Sequence, residues 1–214
     1  MFKHSIISGV AAPLPLDNLD TDQIMPKQFL LGIDKSGLAK GVLHDLRIDA
    51  ASGLPRQAFV LNKPEYQHAR ILVAGANFGC GSSREHAVWG LQQAGFDAVI
   101  APSFGEIFYF NSLNNRLLLI MLDAEAVGQL TALVGQPETS ALIIDLENQM
   151  VVAANGSQYP FDLPARQKRM LIEGLDMIGM TLSEGALIDQ FESRHHAEHP
   201  WMTIDLPKQQ RAAR

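Results

Sequence analysis

The order of elements along this chain predicts an α/β fold, either open or of the layered β/β/α kind. Three observations carry that expectation. Short apolar runs alternate with segments of helical periodicity from Ala69 to Val134, strand-like runs then cluster from Ala141 to Phe161, and no linker divides the 214 residues into two cores. A chain of this length holds one domain with a sizeable core, or one domain plus a tail, and we read residues 1–199 as the domain and 200–214 as a loose polar, basic tail.

Each element has its own local signal. Lys3 to Ala12, with Ile6, Ile7 and Val10, reads as a first strand, and Pro13 to Asp22 as a polar loop. Asp17, Asp20 and Asp22 lack the ligand pattern and closing Glu of a calcium loop, so a solvated acidic turn is the better reading. From Ile24 to Pro64, glycines and Pro55 interrupt every periodic stretch, which marks a binding loop or lid over about 24–56. Core packing is the alternative for its apolar Leu30 and Leu31. Ala69 to Ala74 is a buried strand, and Ala87, Leu91 and Ala94 share one face of a following helix closed by Gly95. Ala98 to Ala101 is the next strand. Ser103 and Glu106 have capping-box spacing and open a helix to about Leu113, ended by Asn114-Asn115. Leu117 to Leu122 is a strand, and Asp123 caps a helix over Ala124–Val134 that Gly135 stops. Ala141 to Leu146 and Met150 to Ala153 pair, and Asn155-Gly156 turns the chain into Ser157 to Phe161. Pro164 opens a helix to Glu173 closed by Gly174, and Ser183 caps a last one to about Arg194.

The chemistry concentrates in Asn77-Phe78-Gly79-Cys80-Gly81-Ser82-Ser83-Arg84-Glu85-His86, a glycine-rich turn between strand and helix. Such a turn aims backbone N–H groups and the positive end of the helix dipole at one spot. Ser82 and Glu85 have the spacing of a capping box, which places Arg84 in the first helical turn, where a cation does nothing for the dipole. Two hydroxyls, a guanidinium and converging amides make an anion site; the plain alternative is a capped helix after a flexible turn. No Lys follows the glycines and the dinucleotide spacing is absent, so nucleotide-phosphate loops are excluded. Cys80 lies before the turn and is a weaker nucleophile candidate. His195, His196 and His199 have helical spacing but no neighbouring Cys or well-spaced carboxylate to complete a metal site, so we assign them to a solvated helix end.

Composition narrows the classes. A formal net charge of -6 argues against nucleic acid, and no apolar run approaches the roughly 20 residues needed to span a bilayer. No secretory signal is apparent at Met1–Ser5, and one cysteine suits a reducing, cytoplasmic location. A lone cysteine is also too few for an iron–sulfur cluster.

Asn77 to His86 strongly resembles the active-site loop of the aconitase-like hydro-lyases. Two further blocks, Asp20 to Leu30 and Ala101 to Phe108, stand in the same order, and the likeness to the family of 3-isopropylmalate dehydratase small subunits runs from about Lys3 to about Phe191. Gly75-Ala76 stands where those proteins usually carry Arg-Glu, and Val88 where they often carry Pro; both flank the loop. The resemblance implies a single swivelling domain of β/β/α layers. It implies Ser82 as the base that removes a proton from carbon, Arg84 as the grip on a substrate carboxylate, Ser83 as a further hydrogen bond, and Asp22 as the residue orienting a cationic partner. Leu30 and Leu31 are expected to line a pocket for an isopropyl group. The chain is expected to bind no cofactor itself, a [4Fe-4S] cluster being carried by a large partner subunit. The implied reaction interconverts 2- and 3-isopropylmalate through 2-isopropylmaleate, in leucine biosynthesis. The rivals are a related hydro-lyase of citraconate or homoaconitate type and a non-catalytic anion-binding module.

Overall fold

The computed structural model describes residues 5–30 and 36–202. The chain divides into two compact units, Met1–Asp176 and Met177–Arg214. The first contains β1 (Ile6–Leu14), α1 (Thr21–Ile24), α2 (His44–Arg47), β2 (Ile71–Ala74), α3 (Glu85–Gln93), β3 (Ala98–Ala101), α4 (Glu106–Asn115), β4 (Leu118–Met121), α5 (Ala124–Val134), β5 (Ala141–Asp145), β6 (Met150–Ala153), β7 (Gln158–Pro160) and α6 (Ala165–Glu173). The second contains α7 (Met177–Leu182), α8 (Gly185–Glu198) and a 3₁₀ turn at Pro200–Met202.

The strands form a seven-stranded sheet in the order β4-β3-β2-β1-β5-β6-β7. β1 to β4 pair in parallel, whereas β1, β5, β6 and β7 pair antiparallel. At nine residues β1 is long enough to serve both ladders in succession. Ile6 to Val10 pair with β5, and Ala11 to Leu14 pair with β2. The two ladders are therefore offset along one strand, which separates them into layers. β2 and β3 are buried at every position, as strands covered on both faces are. β5 instead alternates exposed and buried residues up to Ile144.

Alternate side chains of the parallel strands feed two cores. Leu72, Ala74, Val99 and Ala101 pack with Ala87, Val88 and Leu91 of α3 and Phe108 of α4. Ile71, Val73, Ala98 and Ile100 belong to the opposite core, with Val127 and Leu130 of α5 and Leu142, Ile144 and Val151 of the antiparallel strands. The arrangement is helices, parallel sheet, then α5 with the antiparallel sheet, the layered α/β class predicted.

Several boundaries differ from expectation. β1 continues to Leu14, and the loop predicted over Pro13–Asp22 ends in α1, whose capping box is Asp20 and Gln23: Gln23 N donates to Asp20 Oδ1 at 2.7 Å and Asp20 N to Gln23 Oε1 at 3.1 Å. Ser103 does not cap α4; Gly105 holds that position. Ser183 does not cap the last helix, which starts at Gly185 after Glu184 and runs on to Glu198, and a short helix, α7, precedes it. The Ser183 hydroxyl donates instead to the Met180 carbonyl at 2.7 Å. Within 24–56, the described residues form short helical turns and irregular backbone, and Leu31 lies outside the described residues. Residues 203–214 of the expected tail also lie outside them.

Candidate active site

The serine loop leaves the carboxyl end of β2, crosses in front of β3 and enters α3, the position at which open α/β sheets bind ligands. Its path is fixed at several points. Phe78 is fully buried against the rings of Phe104 and Phe108, at centroid distances of 6.4 and 5.5 Å. Phe78 N donates to Ser103 O at 3.1 Å, and Gly105 N donates to Phe78 O at 2.9 Å. Gly79 has φ +75°, and a Cβ there would overlap the Phe108 ring, so only glycine fits.

A second strap comes from the segment between β1 and α1. Asn18 N donates to Ala76 O at 2.8 Å, Gly79 N to Leu19 O at 2.7 Å, and Thr21 N to Cys80 O at 2.9 Å. Thr21 Oγ1 donates to the Ser82 carbonyl at 2.8 Å. The side chains of Asn77 and Asn18 meet at 2.8 Å, and Asn77 N donates to Ser103 Oγ at 2.8 Å. Asp17 Oδ1 accepts from Ala76 N at 2.7 Å, and a Cβ on Gly75 would meet that same carboxylate oxygen at 2.5 Å. The glycine at this rim position therefore matches the Asp17 turn.

This frame leaves Ser82 and Ser83 exposed. Arg84 is half-buried and forms an ion pair with Asp22, the second residue of α1. Three predicted site residues, Ser82, Ser83 and Arg84, thus stand together on one loop with Asp22 against it. Leu30 is half-buried and packs on the core shared with α3, while Leu31 is outside the described residues.

The local geometry corrects one expectation. Ser82 and Glu85 form no capping box: α3 starts at Glu85, Arg84 is its N-cap in extended conformation, and no side chain caps the helix. The Glu85 carboxylate is drawn instead to Asn115 at the end of α4, accepting from its Nδ2 at 2.5 Å. Asn115 also accepts from Trp89 Nε1 at 2.9 Å and, through its carbonyl, from Gln92 at 2.6 Å. Asn115 thereby ties the start of α3 to its middle and its end. With no side-chain cap, the amides of Ser82, Ser83, Arg84 and Glu85 have no hydrogen-bond acceptor among the described residues. Such a set of amides can hold an anion or a developing alkoxide.

Sequence spacing did not find Thr21, Asn18 or Asn115. Thr21 and Asn18 sit in a block singled out for its acidic residues, and the Asp20–Gln23 capping box was the legible sign that the chain turns back toward the loop there.

Among the described residues no group of three or more His, Cys, Asp and Glu could hold a metal ion, and no helix is long and apolar enough to cross a membrane. Residues 1–125 match the family of the aconitase C-terminal domain, and residues 177–205 match the family of the C-terminal domain of the 3-isopropylmalate dehydratase small subunit. The 3-isopropylmalate dehydratase small subunit 1 of Chromobacterium violaceum is 57% identical over 93% of this chain and 93% of its own length. The protein of the same description from Mannheimia succiniciproducens is 46% identical over 95% of this chain and all (100%) of its own. Among solved structures, the 3-isopropylmalate dehydratase of Methanocaldococcus jannaschii superposes with a TM-score of 0.63 at 29% identity, covering 87% of this chain and 99% of that one. With a loop of this geometry on this sheet, and relatives that match it nearly end to end, the chain belongs to the family of 3-isopropylmalate dehydratase small subunits.

Proposed function

We propose that this chain is the small subunit of a 3-isopropylmalate dehydratase, a hydro-lyase that interconverts 2- and 3-isopropylmalate through 2-isopropylmaleate in leucine biosynthesis together with a large subunit. The observation that carries the reading is the exposed Ser82–Ser83 pair beside an Arg84 already oriented by Asp22. Dehydration of a hydroxy diacid removes a proton from one carbon and hydroxide from its neighbour. Ser82 takes the proton, its alkoxide form being stabilised by the amides at the start of α3. Arg84 binds a substrate carboxylate, because its planar fork can hold Asp22 on one edge and the ligand on another. Ser83 donates a further hydrogen bond.

Departure of hydroxide requires a Lewis acid. The single cysteine of this chain does not fit the thiolate set of an iron–sulfur cluster, and no acid–histidine grouping among the described residues replaces it. That chemistry belongs to the partner in our reading, with a [4Fe-4S] cluster on the large subunit.

Mixing the chain with a cluster-bearing large subunit tests the assignment. Turnover of 3-isopropylmalate well above that of citraconate- or homoaconitate-type acids is expected; a preference for either of those overturns it. The choice of substrate is proposed to rest on Leu30 and Leu31. An isopropyl group gains burial against them, whereas a third carboxylate would lose hydration with no partner. In the assembled enzyme Leu31→Arg should lower kcat/KM for 3-isopropylmalate more than for a malate lacking the branch. An equal loss for both would remove these leucines from the pocket.

A further inference from the structure

A second cleft lies at the opposite end of the parallel strands from the serine loop. Ala69 and Phe96, just before β2 and β3, line one lobe of about 260 Å³ together with Leu61 and Tyr66. Lys40, His44 and Ile48 line another lobe of about 450 Å³. Ala39 and Arg47 line both, which makes the lobes continuous. One end is apolar and the other cationic.

Arg47 is half-buried, and burial lowers its pKa. Its Nε donates to Asn62 Oδ1 at 3.2 Å and its Nη1 reaches the Val42 carbonyl at 3.4 Å, both neutral acceptors. Among the described residues no carboxylate lies within ion-pair distance of Arg47 or Lys40. The nearby acids are engaged elsewhere. Asp45 accepts from Gln28 and meets His44 at 3.1 Å, and Asp49 accepts from Ser52 and Ala51. Nor does the carboxyl end of α3 supply the missing charge, because Ala94, Phe96 and Gly95 already donate to the carbonyls of Gly90, Leu91 and Gln92.

We propose that this cleft binds a small phosphate monoester, with the phosphate on Lys40 and Arg47 and an apolar body against Leu61, Tyr66 and Phe96. Two cations at one end call for charge concentrated at one end of the ligand, and phosphate supplies it with several acceptor oxygens. An extended dicarboxylate would place its second carboxylate in the apolar lobe, unpaired. The combined volume is that of a metabolite site rather than a single ion. Gln93 and Ala94 also line the apolar lobe, so an occupant touches the far end of the helix that begins at the serine loop.

The test is titration of the full chain with phenyl phosphate, inorganic phosphate and malonate in phosphate-free buffer, followed through assigned backbone amides. Phenyl phosphate should shift Ala39, Lys40, Arg47 and Gly53 and bind about tenfold more tightly than inorganic phosphate, because its ring is buried. Lys40→Gln and Arg47→Gln should each weaken it about tenfold, and Arg84→Gln should leave these shifts in place. Lys40 is exposed, so Lys40→Gln carries the test if the Arg47 variant is unstable. Shifts confined to Gly81–Glu85, malonate binding in this cleft as tightly as phenyl phosphate, or unchanged affinity in Lys40→Gln would each overturn the proposal.

Discussion

Thr21 holds the Ser82 carbonyl while leaving the Ser82 hydroxyl at the surface, and this division of labour makes the two residues separable by mutation. Ser82 caps nothing, so Ser82→Ala should change stability by no more than about 0.5 kcal/mol, the range of an ordinary surface change. Turnover in the assembled enzyme should nevertheless fall by orders of magnitude, since the lost group acts on the migrating proton. Near-normal turnover in a folded Ser82→Ala protein would leave the loop as an anion clamp only. Thr21→Val keeps the hydroxyl of Ser82 but frees its carbonyl. It should lower melting stability by about 1 kcal/mol and activity much less than Ser82→Ala does, as thermal unfolding and kcat/KM would measure. The residue types of the loop were legible because they are contiguous. Thr21, 61 positions from Ser82, was not, since nothing in local spacing reports a contact across the fold. The misread capping box has the same origin: Glu85 had a better partner in Asn115, contributed by another helix.

At the level of elements, the signals that held were those whose partners lie within a few residues. Asp123 accepts from Ala126 N at 2.7 Å, Gly174 closes α6 at φ +69°, and Asn155 with Gly156 at φ +86° turns β6 into β7. Ser103 failed as a cap because the Asn77 amide claimed its hydroxyl. The stretch after α1 was illegible for another reason: its helical turns are three or four residues long, too short for any periodicity to declare itself. The β5–β6 turn offers a local test. Asp145 accepts from the Glu147 and Asn148 amides at 2.9 and 3.0 Å and from the Asn148 side chain at 2.7 Å, which holds its carboxyl below the usual range, chiefly through the Asn148 amide. A depressed folded-state pKa means the stabilisation is present above the unfolded value of about 3.9 and fades as pH falls through the folded one. Asp145→Ala should therefore cost about 1 kcal/mol at neutral pH, and the gap from wild type should narrow below about pH 4 in denaturant titrations. A gap independent of pH would mean that the turn's packing, not its ionised carboxylate, carries the effect.

For the whole molecule, one chain supplies part of a reaction. The seven-stranded sheet fixes a base candidate and a carboxylate grip at the ends of β2 and β3, and the sequence announced that layered frame through the order of its strands. It could not announce the hand-over within β1, because an apolar run of nine residues looks the same whether it pairs with one ladder or with two. What the frame lacks is a thiolate set: Cys80 alone, its Sγ directed at the Asn18 carbonyl at 3.4 Å, is held inside the loop's own bonding. A proton acceptor without a Lewis acid leaves hydroxide with nowhere to go, so neither half of the elimination can finish on this chain. The purified chain should show no iron–sulfur absorbance and no dehydratase activity, and both should appear on addition of the cluster-bearing large subunit. The activity should then saturate as the small chain is titrated in, because each active site needs one serine loop. Cys80→Ser should leave that reconstituted activity within about twofold, since a neutral thiol-to-hydroxyl change at a non-ligand position removes at most a weak bond. Turnover by a rigorously cluster-free preparation of the single chain, or loss of the cluster's absorbance from the complex in Cys80→Ser, would defeat the divided site.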